Sequence, residues 1–239
     1  MNLFSRSKPE KILEVDMHSH LIPKIDDGSQ STRETIEMLK FMHEMGIRKV
    51  ITTPHIISDL YPNTPAKIMD SFSLLNQEIA GENIPIELEV SAEHYLDEFL
   101  MQSLDRNDIL PFGGKYLLFE TSFMLKPAVL EDFIFRVISK GLKPVMAHPE
   151  RYVYFQDSWD LLTEIWNRGA LFQINISSLG GFYSRPAKVV AQKLIDSGRV
   201  HFLGTDAHNM EHLKKCAIVM KNKYVQKALH LPLLNFELS

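Results

Sequence analysis

Cysteine is almost missing from this chain: Cys216 is the only one in 239 residues. That excludes an intrachain disulfide and any thiolate-rich metal site. It also speaks against a cysteine-dependent phosphatase, which needs an arginine six residues after its nucleophile, where Asn222 stands. Cys216 therefore reads as a buried helix residue. Long apolar runs are missing too. None approaches the roughly 18 uninterrupted residues of a membrane span, and the polar start, Met1 to Glu14, has no apolar segment of signal-peptide length. The expected location is cytoplasmic. Charge of one sign is scarce, with a formal net charge of −4, so bulk attraction for nucleic acid or an anionic membrane is not expected. Repeats, low-complexity tracts and linkers are lacking as well, and one domain over residues 1–239 is the expectation.

What the chain does have is a regular alternation. At 45% hydrophobic and 23% charged it has an ordinary globular composition, and short apolar runs alternate with amphipathic stretches, the pattern of strands and helices around a parallel sheet. Ser31 with Glu34 forms a capping box, and Ile36, Leu39 and Met42 follow at helical spacing until Gly46. Thr64-Pro65 opens another helix, with Ile68, Phe72, Leu75 and Ile79 on one face and Gly81 at its end. Further helices end at Gly141, Gly169 and Gly198. Seven strands are expected: 12–17, 49–53, 86–92, 116–120, 143–147, 171–176 and 201–205. Seven strand and helix units closing on themselves give a distorted (β/α)7 barrel of α/β class. An open doubly wound sheet is the alternative.

Histidines and acids gather at the ends of these runs. His18, His20, His55, Glu93, Glu120, His148, Asp206 and His208 all fall at or just beyond a strand end, where barrels of this kind collect functional residues. Alternation along a strand puts His18 and His20 on one face, and Asp206 and His208 likewise. Asp27, in the turn Asp26-Asp27-Gly28, is a ninth donor. Nine nitrogen and oxygen donors exceed the needs of one tetrahedral ion, so two or three divalent cations are expected. The donor set suits manganese, iron, zinc or magnesium, with manganese the cation expected. One histidine alone would read as an ordinary satisfied polar residue. The set does not, because several imidazoles and carboxylates at one barrel mouth would be costly to desolvate without cations. His43, His94, His201 and His230 keep the ordinary reading. Arg151, on the loop leaving the fifth strand, can grip a phosphate with its planar fork; its bland alternative is a surface salt bridge to Glu150 or Asp157.

The stretches Asp16 to Gly28 (DMHSHLIPKIDDG), Gly46 to His55 (GIRKVITTPH), Ala92-Glu93, Leu118 to Ser122 (LFETS), Gly141 to Tyr152 (GLKPVMAHPERY), Gln173 to Ser178 (QINISS) and Thr205 to Asn209 (TDAHN) together resemble the PHP (polymerase and histidinol phosphatase) superfamily. The likeness is greatest to the bacterial protein-tyrosine phosphatases of capsule and exopolysaccharide operons, the CpsB/CapC family. It covers roughly residues 12 to 210. The resemblance implies a trinuclear site in a distorted TIM-like barrel, with His18, His20, Glu93 and Asp206 on one ion. Glu93, Glu120 and His148 would hold a second, and Asp27, His55 and His208 a third. Arg151 matches the family's phosphate-stabilising arginine. A second arginine, usual a few residues after the Asp-x-His-Asn motif, is replaced by Glu211, His212, Leu213 and Lys214. His212 or Lys214 is the expected substitute, each with a bland reading as an exposed residue opening the last helix.

The expected reaction is attack of metal-bridging hydroxide on a phosphomonoester, helped by Arg151. A phenol of pKa near 10 leaves more readily than an alcohol, which favours phosphotyrosine. Tyr61, Tyr95, Phe123, Tyr152 and Tyr183 are candidates to flank a tyrosyl ring. The resemblance implies a partner, the tyrosine-rich tail of a membrane-anchored bacterial tyrosine kinase controlling polysaccharide export. Alternatives are a small-molecule phosphatase of the histidinol-phosphate type, a DNA-end nuclease, whose only support is the segment Lys214, Lys215, Lys221, Lys223 and Lys227, or a non-enzymatic binding protein. Those lysines read as the solvated side of a helix whose Leu213, Ala217, Met220 and Tyr224 face inward.

Overall fold

Short strands are interspersed with helices along residues 11–238, the residues that a computed structural model describes. Residues 1–10, read above as lacking a signal-peptide core, and Ser239 lie outside the described residues. The order is β1 (Val15–Asp16), α1 (Thr32–Glu44), β2 (Lys49–Thr52), β3 (His55–Ile56), α2 (Pro65–Ile79), β4 (Glu87–Val90), β5 (Glu93–Tyr95), α3 (Glu98–Arg106), β6 (Tyr116–Glu120) and α4 (Leu130–Ser139). It continues with β7 (Lys143–Met146), α5 (Val153–Gln156), α6 (Trp159–Asn167), β8 (Leu171–Asn175), α7 (Ile176–Gly180), α8 (Arg185–Asp196), β9 (Phe202–Gly204), α9 (Met210–Val219) and α10 (Lys223–Leu229). Among the described residues no helix is long and apolar enough to cross a membrane.

Every strand pairing is parallel, in the orders β1-β2-β4 and β3-β5-β6-β7-β8-β9. The two ladders form one curled sheet. β2 runs on into β3 and β4 into β5; Pro54 lacks an N–H and interrupts the first of these runs, while its carbonyl still accepts from Glu93 N at 3.1 Å. Two of the seven expected runs, 49–53 and 86–92, are thus each followed by a further short strand beyond the expected end. Beyond β1 and β9 the chain pairs again, through the parallel bridge Ser19↔Ala207 and the bonds His20 N to Ala207 O (2.9 Å) and Asp206 N to His18 O (2.8 Å).

The helices begin as their caps specify: the Ser31 hydroxyl accepts from Glu34 N, and the Thr64 hydroxyl from Lys67 N ahead of Pro65. Alternation then sorts the longer strands between an inner and an outer core. In β6 the side chains of Leu117 and Phe119 join Phe133, Val137 and Leu162 beneath the helices, while Tyr116 and Leu118 point inward with Val15, Ile51, Val145 and Phe202. Glu120 follows on the inward face at the strand's C-terminal end.

The final helical region differs from its expectation. Instead of one helix with Ala217, Met220 and Tyr224 inward, there are two, α9 and α10, separated where Asn222 caps the second. The buried face of α9 is Leu213, Cys216 and Val219. Cys216 is completely buried, and burial pushes its thiol well above the usual range, so it packs as the apolar residue it was read to be.

Candidate metal centre

Seven of the nine expected donors, Asp27, His55, Glu93, Glu120, His148, Asp206 and His208, line one cavity of about 210 Å³ together with Arg151, Ile57, Leu60, Tyr61 and Phe123. His18 and His20 lie beneath it, both fully buried. Four sets bring ligand atoms within 4.8 Å of one another: His18–His20–Asp206, His18–Glu93–His148, His55–Glu93–Glu120 and His20–Asp27–His55–His208. All nine therefore meet in one cluster. This grouping overlaps the three-ion partition that the resemblance implies and differs in bringing His18 to His148, His55 to Glu93 and Glu120, and His20 to Asp27, His55 and His208.

Glu93 is the hub. Its Oε2 lies 3.2 Å from His18 Nε2 and 3.1 Å from His55 Nδ1, and its Oε1 lies 3.0 Å from His148 Nε2. Asp206 Oδ1 stands 3.5 Å from Nε2 of both His18 and His20. Glu120 reaches His55 Nδ1 at 3.2 Å, and Asp27 Oδ1 lies 3.6 and 3.4 Å from Nε2 of His55 and His208.

The outer nitrogens decide what the rings present inward. His18 Nδ1 meets Gln173 Oε1 (2.9 Å), His20 Nδ1 meets Asp26 Oδ2 (2.8 Å), and His208 Nδ1 meets the Asp206 carbonyl (3.0 Å). Each partner only accepts, so each Nδ1 carries the proton and the neutral ring turns an Nε2 lone pair toward the cluster. The His18 and His20 Nε2 atoms face each other at 3.4 Å. Two lone pairs at that distance repel unless a proton or cation sits between them. Buried Glu93 Oε2 and His55 Nδ1 also lack any hydrogen-bond partner. The donor set thus fits divalent cations, with histidines oriented by acceptors behind them.

The electrostatics agree. Burial alone would lower the pKa of His18 and His55, but the Glu93 carboxylate, with Asp206 and Glu120, overrides it and lifts them to about 9 and about 10. Burial alone would likewise raise Glu93 and Asp206, yet the surrounding histidines hold both well below the carboxylate range. The cluster is an electronegative pocket that takes up protons where cations are not bound.

Backbone geometry aims two of these donors. His148 and Asp206 take φ values of +33° and +51°, a left-handed conformation that costs a non-glycine residue about 1–3 kcal/mol. Strand parity would send His148 outward with Met146; the turn redirects it to Glu93. Arg151 follows in the short 3-10 turn Pro149–Arg151. Its partner is Asp206 (Nη1 to Oδ2, 2.9 Å), not Glu150 or Asp157. Glu150 is buried, accepting from Asn175 N (3.0 Å) and Ser178 Oγ (2.7 Å).

Of the remaining expectations, neither His212 nor Lys214 lines the cavity; His212 turns its ring edge-on to His208 at 5.4 Å, whereas Lys214 is exposed. Tyr61 and Phe123 line the wall, stacked on His55 and His148. Tyr152, expected at the rim, is fully buried, its hydroxyl oxygen accepting from Thr121 N at 3.2 Å. Asp26, Gln173 and Asn175 were not singled out from sequence. The Asp-Asp-Gly turn and the Gln173–Ser178 stretch were the signals, but only contacts 6 to 155 residues apart give these side chains a task.

A curled parallel α/β sheet whose strand ends carry an imidazole and carboxylate cluster fitted to cations defines the class. The chain belongs to the CpsB/CapC family of capsular polysaccharide synthesis, whose model matches residues 14–234. Similar proteins include the tyrosine-protein phosphatase YwqE of Bacillus subtilis (strain 168), 31% identical over 218 residues, covering 91% of this chain and 83% of that one. The tyrosine-protein phosphatase CpsB of Streptococcus pneumoniae is 25% identical over 224 residues, covering 89% and 92%. Among solved structures, one from work on YwqE of Bacillus subtilis and CpsB of Streptococcus pneumoniae, described as unique metal-dependent tyrosine phosphatases, superposes with a TM-score of 0.81 at 30% identity, covering 91% of this chain and 90% of that one. An amidohydrolase from Mycoplasma synoviae shares the fold alone, with a TM-score of 0.54 at 11% identity, over 90% of this chain and 82% of its own.

Proposed function

We propose that this chain is a metal-dependent protein-tyrosine phosphatase, built as one PHP-type domain over residues 1–239 around a distorted (β/α)7 barrel. The hydrogen bonds joining His18 and His20 to Asp206 and Ala207 support a closed barrel over an open sheet. The observation that carries the function is that the donor cluster and Arg151 share one cavity with aromatic walls.

His18, His20, Asp27, His55, Glu93, Glu120, His148, Asp206 and His208 would hold two or three divalent cations, manganese first among the candidates. Bound there, such cations would lower the pKa of a water and offset charge on a phosphoryl group. Gln173 and Asp26 hold the His18 and His20 rings in the tautomer that offers a lone pair. Arg151 supplies a planar cation able to contact two phosphoryl oxygens. Tyr61 and Phe123 offer ring faces to a tyrosyl ring at the mouth, with Leu60 beside them. A phenolate needs less help from an acid than a serine alkoxide would. His212, beside His208, is a better candidate than Lys214 for a second phosphate contact. The substrate would be a phosphotyrosine protein, a bacterial tyrosine kinase tail acting in capsule synthesis, with the phosphatase in the cytoplasm.

The test is manganese-dependent phosphate release from a phosphotyrosine peptide, with histidinol phosphate and single-stranded DNA alongside. Selective, chelator-sensitive release from the peptide is expected. Arg151→Ala should lower kcat/KM roughly 10²- to 10³-fold with metal content retained, while His18→Ala should lose both metal and turnover. A fully active His18→Ala protein would sink the assignment.

A further inference from the structure

Arg151 is the only lysine or arginine lining the cavity among the described residues. A lone guanidinium that must hold a phosphoryl group depends on how it is held itself. Its Cζ lies 4.6 Å from the ring centroid of Phe123 and 4.2 Å from that of Tyr183, so two aromatic faces flank it. The rings come from different loops, and each is anchored. The Phe123 carbonyl accepts from Val153 N at 2.8 Å, tying it to the segment that follows Arg151. The Tyr183 hydroxyl donates to Asp206 Oδ2 at 3.3 Å and accepts from Asn175 Nδ2 at 3.2 Å. Gly181, at φ +85°, ends α7 and turns the chain so that Tyr183 comes back over the site before Ser184 caps α8.

The same contacts leave Arg151 able to turn. Asp206 Oδ2 accepts from Asn175 Nδ2 at 2.6 Å as well as from Arg151 and Tyr183. It stays satisfied when the guanidinium turns toward an incoming oxyanion, and the flanking π faces keep the cation favourably placed meanwhile.

Resting on the phosphatase reading, we propose that Phe123 and Tyr183 are positioning residues: their rings clamp the Arg151 guanidinium between them at the cavity, paired with Asp206 at rest and able to turn toward an incoming phosphoryl group. The test measures inorganic phosphate binding to manganese-loaded protein by calorimetry, with kcat and KM for a phosphotyrosine peptide beside it. Tyr183→Leu and Phe123→Leu should each weaken phosphate binding and raise KM roughly tenfold, a size expected of a part-dehydrated cation–π contact. Manganese content should stay at the wild-type level. Tyr183→Phe, which keeps the ring, should stay within threefold of wild type. In the Arg151→Ala background Tyr183→Leu should add nothing, because the ring acts through the arginine. Wild-type phosphate affinity in both leucine variants, or losses that multiply with Arg151→Ala, would overturn the clamp. Phosphate binding with the expected coupling in a protein that turns over no peptide would uphold the clamp and remove the phosphatase reading. Peptide turnover without coupling would remove the clamp alone.

Discussion

Residue by residue, the site depends on side chains that only orient others. Neutral imidazoles behind the cluster show how far burial can go the other way. His94 follows Glu93 but points away from it, its Nδ1 donating to the Leu118 carbonyl (3.0 Å) and its Nε2 accepting from Leu110 N (3.4 Å). Protonating Nε2 would bury a charge and set two donors against each other. Burial therefore pushes His94 down to about 4, against the model-peptide value of 6.5. Between pH 6.5 and 4 the unfolded chain binds the proton that the folded chain refuses, so stability falls as pH falls through that window, by about 3 kcal/mol when complete. Urea unfolding with chelator present should show wild type losing about 2 kcal/mol more than His94→Gln between pH 7.5 and 5. Equal losses would mean that another group carries the slope.

At the scale of elements, the strands matter less for their length than for where they stop and how closely they pass. β9 is three residues long and ends in Gly204, where an added Cβ would come within 2.8 Å of the His18 Cβ and 3.0 Å of Gln173 Nε2. The glycine lets the last strand pass directly behind the residue pair that sets the His18 tautomer. Gly204→Ala is expected to destabilise the fold by about 1–3 kcal/mol and to lower bound manganese per chain, as read by metal analysis of folded protein. A variant with full metal content and unchanged unfolding midpoint would show that the neighbouring side chains give way without loss. The left-handed His148 acts similarly at its loop start, redirecting a donor that alternation would have aimed outward with Met146, whereas Asp206, also left-handed, keeps the inward parity of Phe202.

For the molecule as a whole, the cluster should couple stability to cations. Nine donors gathered in and under one cavity repel one another or take up protons when no cation is bound, and a ligand that binds only the folded state stabilises it in proportion to the logarithm of its saturation. At 100-fold saturation with manganese, the melting temperature should stand roughly 5–10 °C above that in excess chelator. Metal removal near neutral pH should also be accompanied by proton uptake, because His18 and His55 then titrate at about 9 and about 10. An unchanged melting temperature would show that the cluster holds no cation tightly. The alternation of apolar runs and capped helices was readable because each element's period and caps are local; eight of the nine candidate donors were readable because they sit at or just beyond strand ends, and Asp27 from its Asp-Asp-Gly turn. The sequence alone determined the parallel α/β order, the lack of a thiolate-rich site and which histidines and acids were candidates to share one site, since these follow from residue type and short-range spacing. Only the tertiary structure decided that Arg151 pairs with Asp206 between Phe123 and Tyr183, that Gln173 and Asp26 orient the histidines, and that Tyr152 is buried. Those contacts join loops far apart in the chain, where no local period or cap carries the information.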